Sequence, residues 1–158
     1  MPNHHHTLYY CFSQRRSLNR EELNSTQSGN AVVVILTRLL DDPNVEIRTK
    51  VIEGMCKLLM IRSVVSGKLL SRLFLTWYNP VTEDDSKLRH ILGTFFPLYA
   101  SMSRANQDCI EEALLPTLRT LMNAPPTSPL IRVDIEDVGL FIIQGIAKPL
   151  QDLRSNFF

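Results

Sequence analysis

The sequence predicts an all-α protein, an α-solenoid of about three helical hairpins. Three observations lead there. Apolar residues recur at three- and four-residue steps over most of the chain, the period of a helix with one buried stripe. Proline, glycine, asparagine and aspartate interrupt that pattern at regular intervals. The one β-branched cluster, Val32-Val33-Val34-Ile35, is short and stands alone, and a lone strand cannot form a sheet.

The elements follow in order. Residues 1–29 carry His4-His5-His6 and much Gln, Asn, Ser and Arg, with apolar residues gathered only at Leu8 to Phe12. Such a segment buries too little surface to offset its ordering entropy, and poor order is expected, apart from a possible short helix around Ser17 to Leu23. From Asn30, a suitable cap, Ala31 to Leu40 reads as a first helix. Asp41-Asp42-Pro43 predicts an acidic cap with proline at the first helical position. The next helix runs from about Asn44 to Ile61, with Ile47, Val51, Met55, Leu58 and Leu59 as its inward stripe.

Ser66-Gly67 ends the connection, and Lys68 to Tyr78 forms a helix with Leu69, Leu70, Leu73, Phe74 and Trp77 inward. Asn79-Pro80 breaks it. Glu83-Asp84-Asp85 opens the following helix, where acids suit the positive helix end. Its stripe is Leu88, Ile91, Leu92, Phe95, Phe96 and Tyr99, and Pro97 is expected to kink or shorten it. A further helix covers about Ala105 to Met122, with Pro116 inside it. Ala124 to Pro129, with three prolines, is a connection. Asp134 caps the last clear helix, with Ile135, Val138, Phe141, Ile142 and Ile146 apolar, and the signal fades after Pro149. The expected organisation is a helical domain over 30–148 and a tail over 149–158.

Two pairs share a register. Ile47-Arg48 follows one acidic cap, and Leu88-Arg89 follows the next, 41 residues on (position 47 to position 88). That spacing lies within the roughly 40 to 47 residues of two-helix HEAT units, so the solenoid is expected to be HEAT-like. The third pair departs, since Ile135-Glu136 puts no arginine in register.

Composition excludes several functions. A net charge of +1 is too small for a domain living by bulk attraction to nucleic acid, so any DNA contact must come from a local patch. No apolar run reaches the roughly 20 residues of a membrane span, and the N-terminus lacks a secretory pattern, so a soluble intracellular chain is expected. Cys11, Cys56 and Cys109 have no disulfide spacing; Cys56 and Cys109 fit buried helix positions in a reducing compartment. His4, His5, His6 and Cys11 lack the second ligand pair that zinc needs, so no metal or cofactor is expected. Glu83, Asp84 and Asp85 could be read as paired catalytic carboxylates, but serve better as helix-start caps. The glycines are isolated and build no phosphate loop. No enzyme is expected.

Between Glu46 and Arg72 there are six cations against two acids. Glu46 with Lys50 and Glu53 with Lys57 fit four-residue helix pairs, which could simply solvate a face. Arg62 and Lys68 have no acid nearby in sequence. Lys50, Lys57, Arg62 and Lys68 are therefore the candidate DNA-phosphate contacts. Trp77 and Tyr78 could stack on a base, but the stripe position of Trp77 favours core packing.

The wording of LLDDPNVEIRTKVIEGMCKLL, of LLSRLFLTWYNPVTEDDSKLRHILGTFFPLYA and of RANQDCIEEALLPTLRTLMNAPPTSPL resembles the G subunit (CAP-G) family of the condensin complex, a HEAT-repeat family of considerably longer chains. The blocks Trp77 to His90 and Arg104 to Cys109 carry the resemblance. It covers roughly residues 39–138, with neither the first 30 residues nor the tail after about Gly139 included, so a truncated product, a splice form or a divided gene model of the C-terminal region is expected. The resemblance implies a non-catalytic scaffold in mitotic chromosome condensation. Its implied partners are the kleisin subunit, the SMC subunits through the complex, and double-stranded DNA gripped without regard to sequence. Its implied location is the nucleus, on condensed chromosomes, with the cytoplasm as the other compartment. The rival function is a protein-docking scaffold that never touches DNA.

Overall fold

The computed structural model describes residues 31–155, with side chains as far as residue 145. Two compact units divide at Ile35 and Leu36. The described part of the first, residues 31–35, is helical. The second holds the rest. Helix α1 covers 31–39, α2 Val45–Met60, α3 Gly67–Tyr78, α4 Ser86–Met102, α5 Arg104–Met122 and α6 Ile135–Ser155. No strand occurs among the described residues. Short 3-10 turns, Pro80–Thr82 and Pro129–Arg132, carry two of the connections. The predicted poor order of 1–29 and the Asn30 cap lie outside the described residues.

In the second unit, α3 packs along α5, while α2 packs on α4 and α4 on α6. Each of α4 and α6 also packs against α5. This two-layer order, with alternate helices in alternate layers, is an all-α, HEAT-like solenoid. Its core is continuous: Ile52, Met55, Leu59, Leu69, Leu70, Leu73, Leu88, Leu92 and Ala113 have no exposed surface. Each large side chain among them contributes roughly 1.5–3 kcal/mol by leaving water. Phe74 stacks on Phe96 with ring centroids 4.4 Å apart, and Phe141 meets both edge-on, which joins α6 to α3 and α4.

A close approach joins α3 and α5 at Gly67. Gly67 and Ser71, one helical turn apart, face Glu112, Ala113 and Thr117. The Thr117 hydroxyl donates to the Ala113 carbonyl at 2.7 Å, which leaves Ser71 to donate to Thr117 Oγ1 across the interface at 3.0 Å. Small residues on both sides let the two backbones meet, and the paired hydroxyls satisfy each other where water is excluded.

Several starts and stops differ from expectation for identifiable reasons. The cap of α2 is Asn44, not an aspartate: its side chain accepts from Glu46 N and Ile47 N, and Pro43 stands outside the helix. Asp42 instead accepts from Asn44 N at 2.8 Å, a local turn that places the true cap. Asp85 caps α4 by accepting from Leu88 N at 3.0 Å. Pro97 does not end α4, which continues to Met102. Pro97 and Gly93 four residues before it are both exposed, so the carbonyl that loses its partner lies on the watered side. Helix α6 runs on past Pro149 to Ser155, beyond the point where the pattern fades in sequence.

The stripe assigned to α2 is the largest correction. Its buried face is Thr49, Ile52, Met55, Cys56 and Leu59. Ile47 is exposed, and Val51 and Leu58 are half-buried. Helix α2 is apolar on two faces, and periodicity alone does not say which one meets the core.

A Cβ added at Gly67 would lie 2.8 Å from Glu112 Cβ and 3.1 Å from the Glu112 carbonyl carbon. Gly67→Ala gains at most about 1 kcal/mol of helix propensity, whereas forcing two backbones apart costs roughly 1–3 kcal/mol. Net destabilisation by chemical denaturation is the expected result, and a stabilised variant would show that the crossing is loose.

Candidate nucleic-acid interface

The four candidate cations fall into two pairs with different surroundings. Lys50 and Lys57 stand two turns apart on α2 and converge on one carboxylate. Lys57 Nζ lies 2.7 Å from Glu53 Oε1 and Lys50 Nζ 3.1 Å from Glu53 Oε2. The expected Glu46–Lys50 pair is not among the ion pairs of the described residues, because Lys50 turns one step the other way, toward Glu53. With both lysines about 70% exposed, at 72% and 69%, water screens the triad. It still holds the Glu53 carboxyl down at about 2, chiefly through the hydrogen bond from Lys57, then that from Lys50.

Arg62 and Lys68 sit on the connection from α2 to α3 and at its end. Both are exposed, and neither has an ion pair among the described residues. Each occupies a position that local physics disfavours. Arg62 is the residue just past the end cap of α2, with φ 57°, the left-handed region where glycine is the usual occupant. Its N–H donates to the Leu59 carbonyl at 3.1 Å and closes the last turn. A side chain there costs about 1–2 kcal/mol that glycine avoids. Lys68 lies in the first turn of α3, where the helix dipole favours an anion, and no acid stands in that turn.

The other candidates have structural work. The Arg89 guanidinium lies over the Trp77 ring at 4.6 Å from its centroid and donates to the Trp77 carbonyl, while Phe96 meets the indole edge-on. One face of Trp77 is thus taken, which leaves the base-stacking reading little room. Arg48 does a similar thing one repeat earlier, donating from Nη1 to the Asp42 carbonyl at 3.0 Å. The two arginines found in register by sequence each tie a helix start to the backbone before it. Arg72 bridges back to Asp41 at 2.6 Å. Of the acidic trio, Asp85 caps α4 and also takes a hydrogen bond from Thr49 at 3.3 Å, linking the starts of α2 and α4. Among the described residues no group of three or more His, Cys, Asp or Glu could hold a metal.

Cys56 and Cys109 are free and buried. Burial pushes the Cys56 thiol up to about 12, and it raises Cys109 and the adjacent Tyr99 as well. At neutral pH all three are protonated and chemically quiet.

Sequence reasoning missed the buried polar residues that terminate α4. Asn106 Nδ2 donates to the Tyr99 carbonyl at 3.0 Å, and Gln107 Nε2 to the Ala100 carbonyl at 3.2 Å. Ser103 caps α5 by accepting from Asn106 N. Thr82, buried, donates to the Thr76 carbonyl at 2.6 Å and closes the turn after α3. The two most distinctive blocks of text, Trp77 to His90 and Arg104 to Cys109, are thus mainly turn hardware. The signal was there: amides embedded in an apolar pattern directly after a helix end.

A helical scaffold with an exposed cationic connection, and with its acids and arginines used as caps and ties, is the class that fold and site define. A family model described as "Nuclear condensing complex subunits, C-term domain" matches residues 4–155. The chain is 49% identical over 125 residues to condensin complex subunit 3 of Xenopus laevis and 49% identical over 123 residues to that of Homo sapiens. It is 33% identical over 132 residues to that of Schizosaccharomyces pombe. These matches cover 79%, 78% and 83% of this chain, but only 12%, 12% and 14% of the relatives. The chain belongs to the family of nuclear condensing complex subunits. Family similarity runs further than the 39–138 expected from wording, and takes in most of both ends.

The Glu53 triad has a signed pH dependence. The folded carboxyl titrates near 2 against an ordinary 4.5, so the stabilisation it lends α2 is fully present above about 4.5 and is lost as pH falls through 2. Lys57→Met should raise the midpoint read by carboxyl NMR shift more than Lys50→Met, and high salt should raise it too. A midpoint of 4.5 in the unaltered chain would mean that the lysines are not engaged.

At Arg62, glycine should relieve the backbone. Arg62→Gly is expected to stabilise the fold by up to about 1 kcal/mol in urea denaturation, whereas Arg62→Ala, which keeps a Cβ, should not.

Proposed function

We propose that this chain is a segment of the G subunit (CAP-G) of a condensin complex, a non-catalytic HEAT-repeat scaffold that serves mitotic chromosome condensation. The names of the relatives and the match to the C-terminal domain model support that reading. In it, the kleisin subunit is held by the array, the SMC subunits are reached through the complex, and the location is the nucleus, on condensed chromosomes. Part of the DNA grip lies in this segment. The observation that carries the DNA contact is the pair Arg62 and Lys68: two exposed cations without ion pairs, each kept where a glycine or an acid would suit the fold better. Neither side chain has a task in the fold that its position requires. Contact of this kind is with phosphate and carries no sequence preference. Lys50 and Lys57 join as weaker contributors, because Glu53 competes for them.

That same competition favours a second reading, in which the segment docks a protein partner and leaves DNA to other parts of the complex. The two readings part in a salt series. Binding of the purified chain to double-stranded DNA should weaken steeply with salt, and Arg62→Glu with Lys68→Glu should lower affinity and reduce the log–log salt slope by roughly two contacts. Arg62→Gly serves as the control, since it should lose one contact while remaining at least as stable. No binding at low salt, or binding indifferent to both substitutions, would leave the docking reading in place.

A further inference from the structure

The outer face of α2 is unusual for a surface that carries so many charges. Ile47, Val51, Gly54 and Leu58, spaced four, three and four, form one apolar row, and with Leu36 of α1 they line an open groove of about 750 Å³. Beside it runs a second row at the same spacing, Glu46, Lys50, Glu53 and Lys57, with strictly alternating sign. A Cβ placed on Gly54 would meet nothing within 4 Å, so the middle of the apolar row is a bare stretch of backbone that another helix could approach closely.

Alternation of this kind is self-complementary in one arrangement. When two copies of α2 meet face to face and antiparallel, a two-fold axis lying in the interface keeps each row on its own side and reverses its direction. Apolar row then meets apolar row, with Ile47 opposite Leu58 and Val51 opposite Gly54 of the other copy. Glu46 falls opposite Lys57, and Lys50 opposite Glu53. Every charge meets its opposite. A parallel pairing places the two charged rows on opposite sides of the contact, where their charges do not meet. Isologous pairing requires a patch complementary to itself, and this face meets that requirement in apolar pattern and in charge.

We infer that the α2 face is a docking surface for a second copy of this chain, joined antiparallel about a two-fold axis between Val51 and Glu53. The Glu53 bridges within one chain exchange for bridges between chains. Because the apolar row is narrow and the charges are rimmed by water, the dimer is weak and concentration-dependent. Arg62 and Lys68, which carry the DNA contact proposed above, lie off both rows, whereas Lys50 and Lys57 are shared, so pairing of two copies would withdraw these two weaker contributors from DNA.

Sedimentation equilibrium of the full 158-residue chain, from low to high micromolar, tests it. A reversible monomer–dimer equilibrium is expected. Val51→Asp should weaken it at least tenfold, and Glu46→Lys should weaken it several-fold by setting two lysines opposite one another. The double variant Glu46→Lys with Lys57→Glu should recover most of the loss, since the swap restores opposite signs across the axis. Circular dichroism of each variant checks that the monomer is still helical, which is expected because all three residues are partly or fully exposed. A monomer throughout the range overturns the inference. So does an association that ignores Val51→Asp, or one in which the charge swap rescues nothing, because the contact then lies elsewhere.

Discussion

The close crossing of α3 and α5 is the constraint on which the rest depends. Two helices usually keep 8–10 Å between their axes because side chains hold them apart. Here Gly67, Ser71, Ala113 and Thr117 remove that spacer, and one hydroxyl pair meets the polar requirement left behind. Once α3 and α5 are locked as one layer, the position of everything that leaves them follows. The connection carrying Arg62 enters α3 at Gly67, where an added side chain would collide with Glu112, and Lys68 follows in the first turn. The aromatic cluster of Phe74, Phe96 and Phe141 then fills the space between that layer and the next.

Around this layer, the chain spends its charged and polar residues on ends of helices. Asn44, Ser66, Asp85 and Ser103 each accept a backbone N–H at a helix start, and Asn106 and Gln107 satisfy carbonyls at a helix end. Arg48 and Arg89 tie starts to preceding backbone. A short-helix solenoid has many termini per residue, and each terminus presents groups that must be paired or hydrated. That demand accounts for the polar and charged side chains fixed at helix ends. Arg62 and Lys68, like Lys87 in the first turn of α4, are exposed cations at positions where no terminus needs them.

Much of the architecture was legible in the sequence. The helices, their order and the arginine register at positions 47 to 48 and 88 to 89 could be read there, because period and punctuation are local properties of the chain. Pro97 and the α2 stripe were not. Whether a proline breaks a helix depends on whether its orphaned carbonyl reaches water, and that depends on which side faces the core. In α2 two apolar faces compete, one with Ile52, Met55 and Leu59, the other with Ile47, Val51 and Leu58. Only the packing partner, α4, selects between them. Of the candidate contacts, Arg62 and Lys68 were visible as cations lacking local acids, but the left-handed backbone under Arg62 was not.

The sequence by itself determined an all-α repeat, its approximate units, the buried cysteines and a short list of cations. These follow from residue type and spacing, which act over one or two turns of helix. Tertiary structure alone decided which face of α2 is buried, which carboxylate Lys50 joins, and how nearly α3 and α5 approach. Those outcomes are settled by contacts between residues far apart in the chain, such as Ser71 with Thr117 and Thr49 with Asp85. No local pattern carries their free energy.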